Sequence, residues 1–327
     1  MNQKNTIEIG LIVYEKAQIA AILGLTDLFT IASKIATKRQ DTTDLPLQIS
    51  HWEIKGAKQQ PTCTFLSSPN SSGKLAAVII PPTLEEPIKP QVAAPWIEWL
   101  KEQHSTGVIL SSVCAGAFLL GETGLLSKRK ATTHWGYVAQ FENRFPDVEL
   151  DVDRIIIEDG DIVTAGGAMA WTDLGLRMVD RFLGSQVMNE TARALLIDPS
   201  RREQCYYSAF SPNLTHGDPA ILKVQHWLQK TEAQDIDLST LANCAQLEER
   251  TFLRRFHKAT GMTSTEYCQR LRIGSAKDFL QFSLSAVEQI AWKVGYSDVS
   301  AFRKIFKRIV GLTPSEYRRR FNMNKEG

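Results

Sequence analysis

Cys114 ends an apolar run and is followed at once by Ala115-Gly116-Ala117, within SSVCAGAFLLG (111–121). A thiol at such a strand–turn–helix elbow sits beside the backbone amides of a helix N-terminus, the geometry that exposes a nucleophile. Those amides and the helix dipole are expected to lower the thiol pKa and favour thiolate. Twenty residues on, His134 in KATTHWGY is a candidate imidazole partner. Buried, inert cysteine is nevertheless the commoner kind, so the pair alone does not establish chemistry.

A second constellation is electrostatic. Phe252, Phe256, Gly261, Thr263, Glu266 and Tyr267 recur fifty positions later as Phe302, Phe306, Gly311, Thr313, Glu316 and Tyr317. Arg254 recurs as Lys304, and Lys258 as Arg308. A duplicated helical unit with basic residues at matched places suits a polyanion gripped twice, and double-stranded DNA is the candidate. In the first copy Arg250, Leu253 and Arg254 share an outward stripe with His257. In the second the stripe is Val299, Ser300, Arg303, Lys304 and Lys307. An arginine can bond a guanine edge bidentately, and lysines can neutralise phosphates.

The turns before these helices support a helix-turn-helix reading. Gly295 reads as the tight turn with Ser297 as N-cap, and the first copy places Ala245 at the turn. Thr263–Glu266 and Thr313–Glu316 read as capping boxes, with Pro314 at the first helical position. A helical oligomerisation module with solvated charges is the plainer alternative, and the paired basic helices weigh against it. The Arg318-Arg319-Arg320 run reads as a solvated helix end.

These residues need elements to hold them. Strand-like runs at 7–14, 47–54, 76–81 and 107–113 alternate with helical patterns at 19–36, 88–104 and 115–121. Residues 152–167 read as a hairpin turning at Asp159-Gly160, followed by helices over 171–183 and 186–196. The alternation implies a largely parallel sheet with helices on both faces, occupying residues 1–196. Residues 197–217 carry two prolines and no clean period, and read as a linker. From 218 to 327 only helical patterns remain, at 219–230, 238–245, 249–259, 264–280, 286–293, 298–309 and 314–321.

The 327 residues suit roughly two domains, with 43% hydrophobic and 23% charged residues. The net charge of +2 hides an asymmetry: from Asp218 onward there are 18 Lys and Arg against 12 Asp and Glu. The remainder is net acidic, so the basic share lies where nucleic-acid contact needs it. Five cysteines without a C-x-x-C pair argue against a disulfide framework or zinc site and for a reducing cytoplasm. No signal-peptide pattern opens the chain, and no apolar run is expected to approach the roughly 18 residues of a membrane span. Trp96 and Trp99 read as packing residues of an amphipathic helix.

The segments RTFLRRFHKATGMTSTEYCQRLR and IAWKVGYSDVSAFRKIFKRIVGLTPSEYRRRF resemble the DNA-binding domain of the AraC/XylS transcription regulators. The resemblance implies two helix-turn-helix units joined by a connecting helix at 264–280. It places Arg250, Leu253 and Arg254, then Val299, Ser300 and Lys304, on base-reading positions. Residues 6–185 are similar to the PfpI-like, class I glutamine amidotransferase-like superfamily, through VCAGAFLLGETGLL, ATTHW and DGDIVTAGG. That likeness implies a flavodoxin-like α/β fold with an elbow cysteine, a nearby histidine and often an acid from the first helix region. Ala21 stands where the acid would align, with Glu15 and Asp27 off that position.

The order of the two domains resembles the GlxA-type subgroup of AraC regulators. The expectation is a transcription regulator and not an enzyme, with Cys114 and His134 vestigial and no cofactor or metal. A small effector, amino-acid-like or betaine-like, would bind at Cys114, Ala115, His134, Trp135 and Trp171, where aromatic rings could cage a quaternary ammonium. Core packing is the alternative role for both tryptophans. Homodimerisation and an encounter with RNA polymerase are implied, activation being the commoner mode. Two rivals stay open: a cysteine-dependent hydrolase or glyoxalase-type enzyme fused to a DNA-binding domain, and a thiol redox sensor.

Overall fold

The computed structural model describes residues 6–41, 44–55, 60–68, 73–198, 202–234 and 236–322. The chain divides into two units, Met1–Gln204 and Cys205–Gly327.

In the first unit the strands are β1 (Ile7–Val13), β2 (Leu47–Ile54), β3 (Pro61–Leu66), β4 (Lys74–Ile80), β5 (Ile109–Val113), β6 (Lys130–Ala131), β7 (Glu149–Leu150), β8 (Ile156–Asp159) and β9 (Ile162–Ala165). Seven of them form one sheet in the order β3-β2-β1-β4-β5-β9-β8, and β6 pairs with β7. The five central strands are parallel and the two edges antiparallel. This is a doubly wound order, whose direction of winding reverses between β1 and β4. β5 and β9 are buried along their whole length and β4 over its last four residues, as strands covered on both faces are. β3 went unread because PTCTFL is exposed at the edge and lacks a buried period. β8 and β9 form the expected hairpin, with Asp159 opposite Ile162.

The helices are α1 (Ile19–Gln40), α2 (Pro90–Ser105), α3 (Gly116–Glu122), α4 (Val138–Arg144), α5 (Trp171–Leu183) and α6 (Ser185–Leu195). α1, α5 and α6 pack together, as do α2 and α3. Trp96 is buried in α2 and meets Trp99 edge-on. The expectation that no apolar run nears membrane length is wrong for α1, which is long and apolar enough by length and composition. It is nevertheless a core helix: Ala21, Ile22, Leu25, Leu28, Phe29 and Ala32 are buried.

The second unit is helical: α7 (Pro219–Lys230), α8 (Leu238–Ala245), α9 (Glu249–Thr260), α10 (Ser264–Phe282), α11 (Val287–Lys293), α12 (Val299–Val310) and α13 (Pro314–Phe321). It holds two cores. Ile221, Val224 and Leu228 of α7 meet Phe252 and Phe256 of α9 and Tyr267 of α10. Ile273, Ala276 and Leu280 of α10 meet Ile290 of α11, Phe302 and Phe306 of α12 and Tyr317 of α13. The fifty-residue repeat is therefore a repeat of cores as well as of surfaces.

Candidate functional site

α8–α9 and α11–α12 are the two helix-turn-helix pairs. In the second, Gly295 takes the left-handed backbone expected of it. In the first the left-handed residue is Gln246, not Ala245, which is the buried last residue of α8. The two turns are thus out of register by one residue although the helices that follow match. The N-cap of α12 is Asp298, whose Oδ1 accepts from Ser300 N–H at 2.7 Å, and not Ser297. Thr313 and Glu316 form a complete capping box. In the first copy only Thr263 caps, since Glu266 turns to Arg270 at 3.1 Å.

The duplicated phenylalanines orient the two surface stripes. Phe252 and Phe256 are fully buried, which turns Arg250, Leu253 and Arg254 outward on α9. Phe302 and Phe306 do the same for Ser300, Arg303, Lys304 and Lys307 on α12. Val299 differs from expectation: it is half-buried against the second core. Arg303 is paired with Glu288 at 2.6 Å. Among the described residues, no ion pair engages Arg250, Arg254 or Lys304, so their charges face solvent.

The residue the repeat could not flag is Arg255. It points inward and grips Asp218, the N-cap of α7, with Nε to Oδ2 at 2.9 Å and Nη2 to Oδ1 at 2.7 Å. The guanidinium holds the Asp218 carboxyl below the usual carboxylate range. The pair fixes how α9 stands on α7. The helix over 219–230 was legible in the sequence, but the partner of Asp218, 37 residues away, was not.

In the first unit the elbow forms as expected, with Cys114 in the left-handed region at φ +54°. Its amide donates to Ala165 O at 2.7 Å, and its carbonyl accepts from Thr133 Oγ1 at 2.7 Å. The thiol does not behave as expected. Burial pushes it up to about 11, against the opposing pull of the Ala115 and Gly167 amides. Desolvation of the charged form outweighs the helix terminus. Tyr14 lies close enough for its ionisation to be opposed by Cys114, after burial, which dominates. The Tyr14 hydroxyl donates to Pro81 O at 2.8 Å.

His134 is engaged away from this thiol. Its Nδ1 accepts from Gly136 N–H at 3.0 Å, and its ring leans on Trp135 and Tyr137 at 5.0 and 5.7 Å. Burial lowers its pKa. Among the described residues no hydrogen bond joins it to Cys114. Ala21 is fully buried, and Glu15 and Asp27 are exposed. Trp171 packs across Gly24 of α1, and among the described residues no ring contact joins it to Trp135.

A cavity of about 230 Å³ opens beyond the ends of β1 and β4, bordered by Tyr14, Lys16, Thr83, Glu85, Glu86 and Val92. That is the crevice where doubly wound sheets receive ligands. Lys16 and Glu85 form an ion pair at its rim. None of Cys114, Ala115, His134, Trp135 and Trp171 lines it. Among the described residues, Gln18 Oε1 and Trp171 Nε1 are buried without a hydrogen-bond partner.

Sequence reading also missed Gln204. Its Nε2 lies within hydrogen-bonding distance of Thr132 Oγ1 (3.0 Å), Thr133 O (2.8 Å) and Arg154 O (2.9 Å). Its Oε1 accepts from Trp135 N–H at 3.2 Å. Arg202 pairs with the buried Asp173, and Glu203 accepts from Ile155 N–H at 2.9 Å. Residues 202–204 of the segment read as linker therefore bond into the first unit, and residues 199–201 lie outside the described residues.

Residues 241–320 match the family model of a helix-turn-helix domain, and residues 53–181 match that of the DJ-1/PfpI family. The HTH-type transcriptional regulator GlxA of Rhizobium meliloti (strain 1021) is 27% identical over 227 residues, 68% of this chain and 68% of its own length. The HTH-type transcriptional regulator GbdR of Pseudomonas aeruginosa (strain UCBPP-PA14) is 23% identical over 232 residues, 71% of this chain and 63% of its own. The chain thus spans about two thirds of the length of these curated relatives. Among solved structures, a putative transcriptional regulator protein from Vibrio parahaemolyticus is 17% identical, covers 58% of this chain and all of its own, and has a TM-score of 0.46.

Proposed function

This chain belongs to the AraC-type helix-turn-helix transcription regulators that carry an N-terminal DJ-1/PfpI domain, and from that premise we propose how it works. α9 and α12 each enter a major groove of double-stranded DNA, roughly 10 bp apart. Arg250, Leu253 and Arg254 read one half-site, and Ser300 and Lys304 the other. Arg303 and Lys307 contact phosphates. The observation that carries this reading is the pair of outward basic stripes set by duplicated buried phenylalanines.

The first unit acts as a sensor and dimerisation module in the cytoplasm, tuned by a small molecule and working with RNA polymerase. The cavity at the strand reversal, bordered by Tyr14, Lys16 and Glu85, supports a small-molecule site at that crevice, away from the five residues expected to hold the ligand. A thiol held near pKa 11 with no imidazole bonded to it argues against both the enzyme and the redox reading. A thermal-shift screen of the full chain against amino acids, betaines, carnitine and polyamines tests the sensor role. A bound ligand raises the midpoint in proportion to the logarithm of its concentration over Kd. A screen without any shift removes the sensor reading and leaves dimerisation.

A further inference from the structure

We propose, on the basis of the two-groove reading above, that Arg272 is the positioning residue that sets the distance between the two DNA-reading helices. α10 carries both cores. Tyr267 and Cys268 in its first half belong to the α7–α9 core, and Ile273, Ala276 and Leu280 belong to the α11–α13 core. The two clusters share no buried apolar residue. Their mutual orientation therefore depends on α10 itself and on the bonds that cross from one half to the other. Gly274, just past the crossing, makes α10 least stiff there.

Arg272 sits at that crossing and holds a carbonyl from each half. Its Nε donates to Ala233 O at 2.7 Å, beyond the end of α7. Its Nη1 donates to Gly295 O at 3.1 Å, in the turn between α11 and α12. The guanidinium carbon stands 5.5 Å from the centroid of the Tyr296 ring. A planar fork with fixed donor directions converts these contacts into an angle as well as a distance. An ammonium has no such plane.

The second turn is shaped around this side chain. Gly295 has φ +83°, and an added Cβ would come within 3.3 Å of Arg272 Cζ and Nε. Two further bonds cross the same boundary. Gln234 Nε2 donates to Lys293 O at 2.9 Å, and Arg308 Nη2 donates to Gln269 Oε1 at 2.6 Å. The Gln269 pair is exposed, so Arg272, half-buried and holding two carbonyls, dominates the junction.

The test uses the full chain and a duplex selected by it from a random library. Its affinity is compared by fluorescence anisotropy with duplexes carrying one or two base pairs more or fewer between the half-sites, and with one whose second half is scrambled. The wild-type chain is expected to lose roughly 10-fold or more per altered base pair of spacing, about what a mismatched pair costs. Arg272→Ala is expected to cut that penalty to about 2–3-fold, while binding the half-scrambled duplex as the wild type does. Arg272→Lys should not restore it. An unchanged spacing penalty in Arg272→Ala overturns the proposal alone. A wild-type chain indifferent to scrambling overturns the two-groove reading and this proposal with it. Should Arg272→Ala fail to melt cooperatively, Gln234→Ala decides the matter: a reduced penalty supports the clamp, and an unaltered one sinks it.

Discussion

Gln204 occupies the space that a side chain at Gly166 would need: a Cβ built there overlaps the Gln204 carboxamide. The two glycines of the TAGG segment thus divide the work. Gly166 admits Gln204, and Gly167 offers its amide to the Cys114 thiol. The rim of the elbow is completed by a residue ninety positions downstream of the elbow cysteine.

Gly166→Ala should therefore destabilise the first unit by expelling Gln204, taking from the buried Thr133 carbonyl its shortest donor. The expected cost is about 1–3 kcal/mol. Gln204→Ala removes the three atoms nearest the added Cβ, so the double variant should be more stable than the sum of the singles by about 0.5–3 kcal/mol. Urea unfolding of the four chains measures this, and additivity within error would show that the two do not compete.

Cys114 should alkylate slowly at neutral pH. With the thiol up at about 11, roughly one molecule in ten thousand is ionised at pH 7. Iodoacetamide labelling followed by mass spectrometry should find the exposed Cys63 modified first, with the Cys114 rate still climbing above about pH 9. Because the folded pKa is raised above the unfolded one, the neutral thiol stabilises the fold fully below about pH 8.5. That contribution should be lost as pH rises from there through about 11. A labelling midpoint near pH 7 would revive the nucleophile and redox readings.

Arg254→Ala should weaken binding to a selected duplex by about 1–3 kcal/mol while changing affinity for random DNA little. Both affinities should fall steeply with salt as phosphate contacts release counterions. Equal losses on both duplexes would move Arg254 from base reading to phosphate contact.

Gly274→Ala should stabilise the second unit by about 0.5–1 kcal/mol. Nothing lies within 4 Å of the added Cβ, so helix propensity acts unopposed. If the stiffer helix also steepens the dependence on half-site spacing, the junction described above gains support from a residue that makes no contact.

Most of the architecture was legible because it is written in local periodicity. α5 and α7 begin and end where their apolar period does, and the fifty-residue repeat located two cores and two outward stripes from the chain alone. Alternating strands and helices sufficed for the doubly wound sheet, with only the exposed edge β3 escaping. What sequence could not decide was every property set by neighbours distant in the chain. The elbow motif predicted a thiolate, yet whether water or packed apolar groups surround Cys114 depends on which segments fold over it, and burial won. Ala245 and Gln246 are equally plausible turn residues by type, and only the packing of α8 against α9 chose the second. Arg255, Arg272 and Gln204 each look like ordinary polar residues in the chain. Their partners Asp218, Gly295 and Thr133 lie 37, 23 and 71 positions away, and such pairings exist only once the backbone has been brought together.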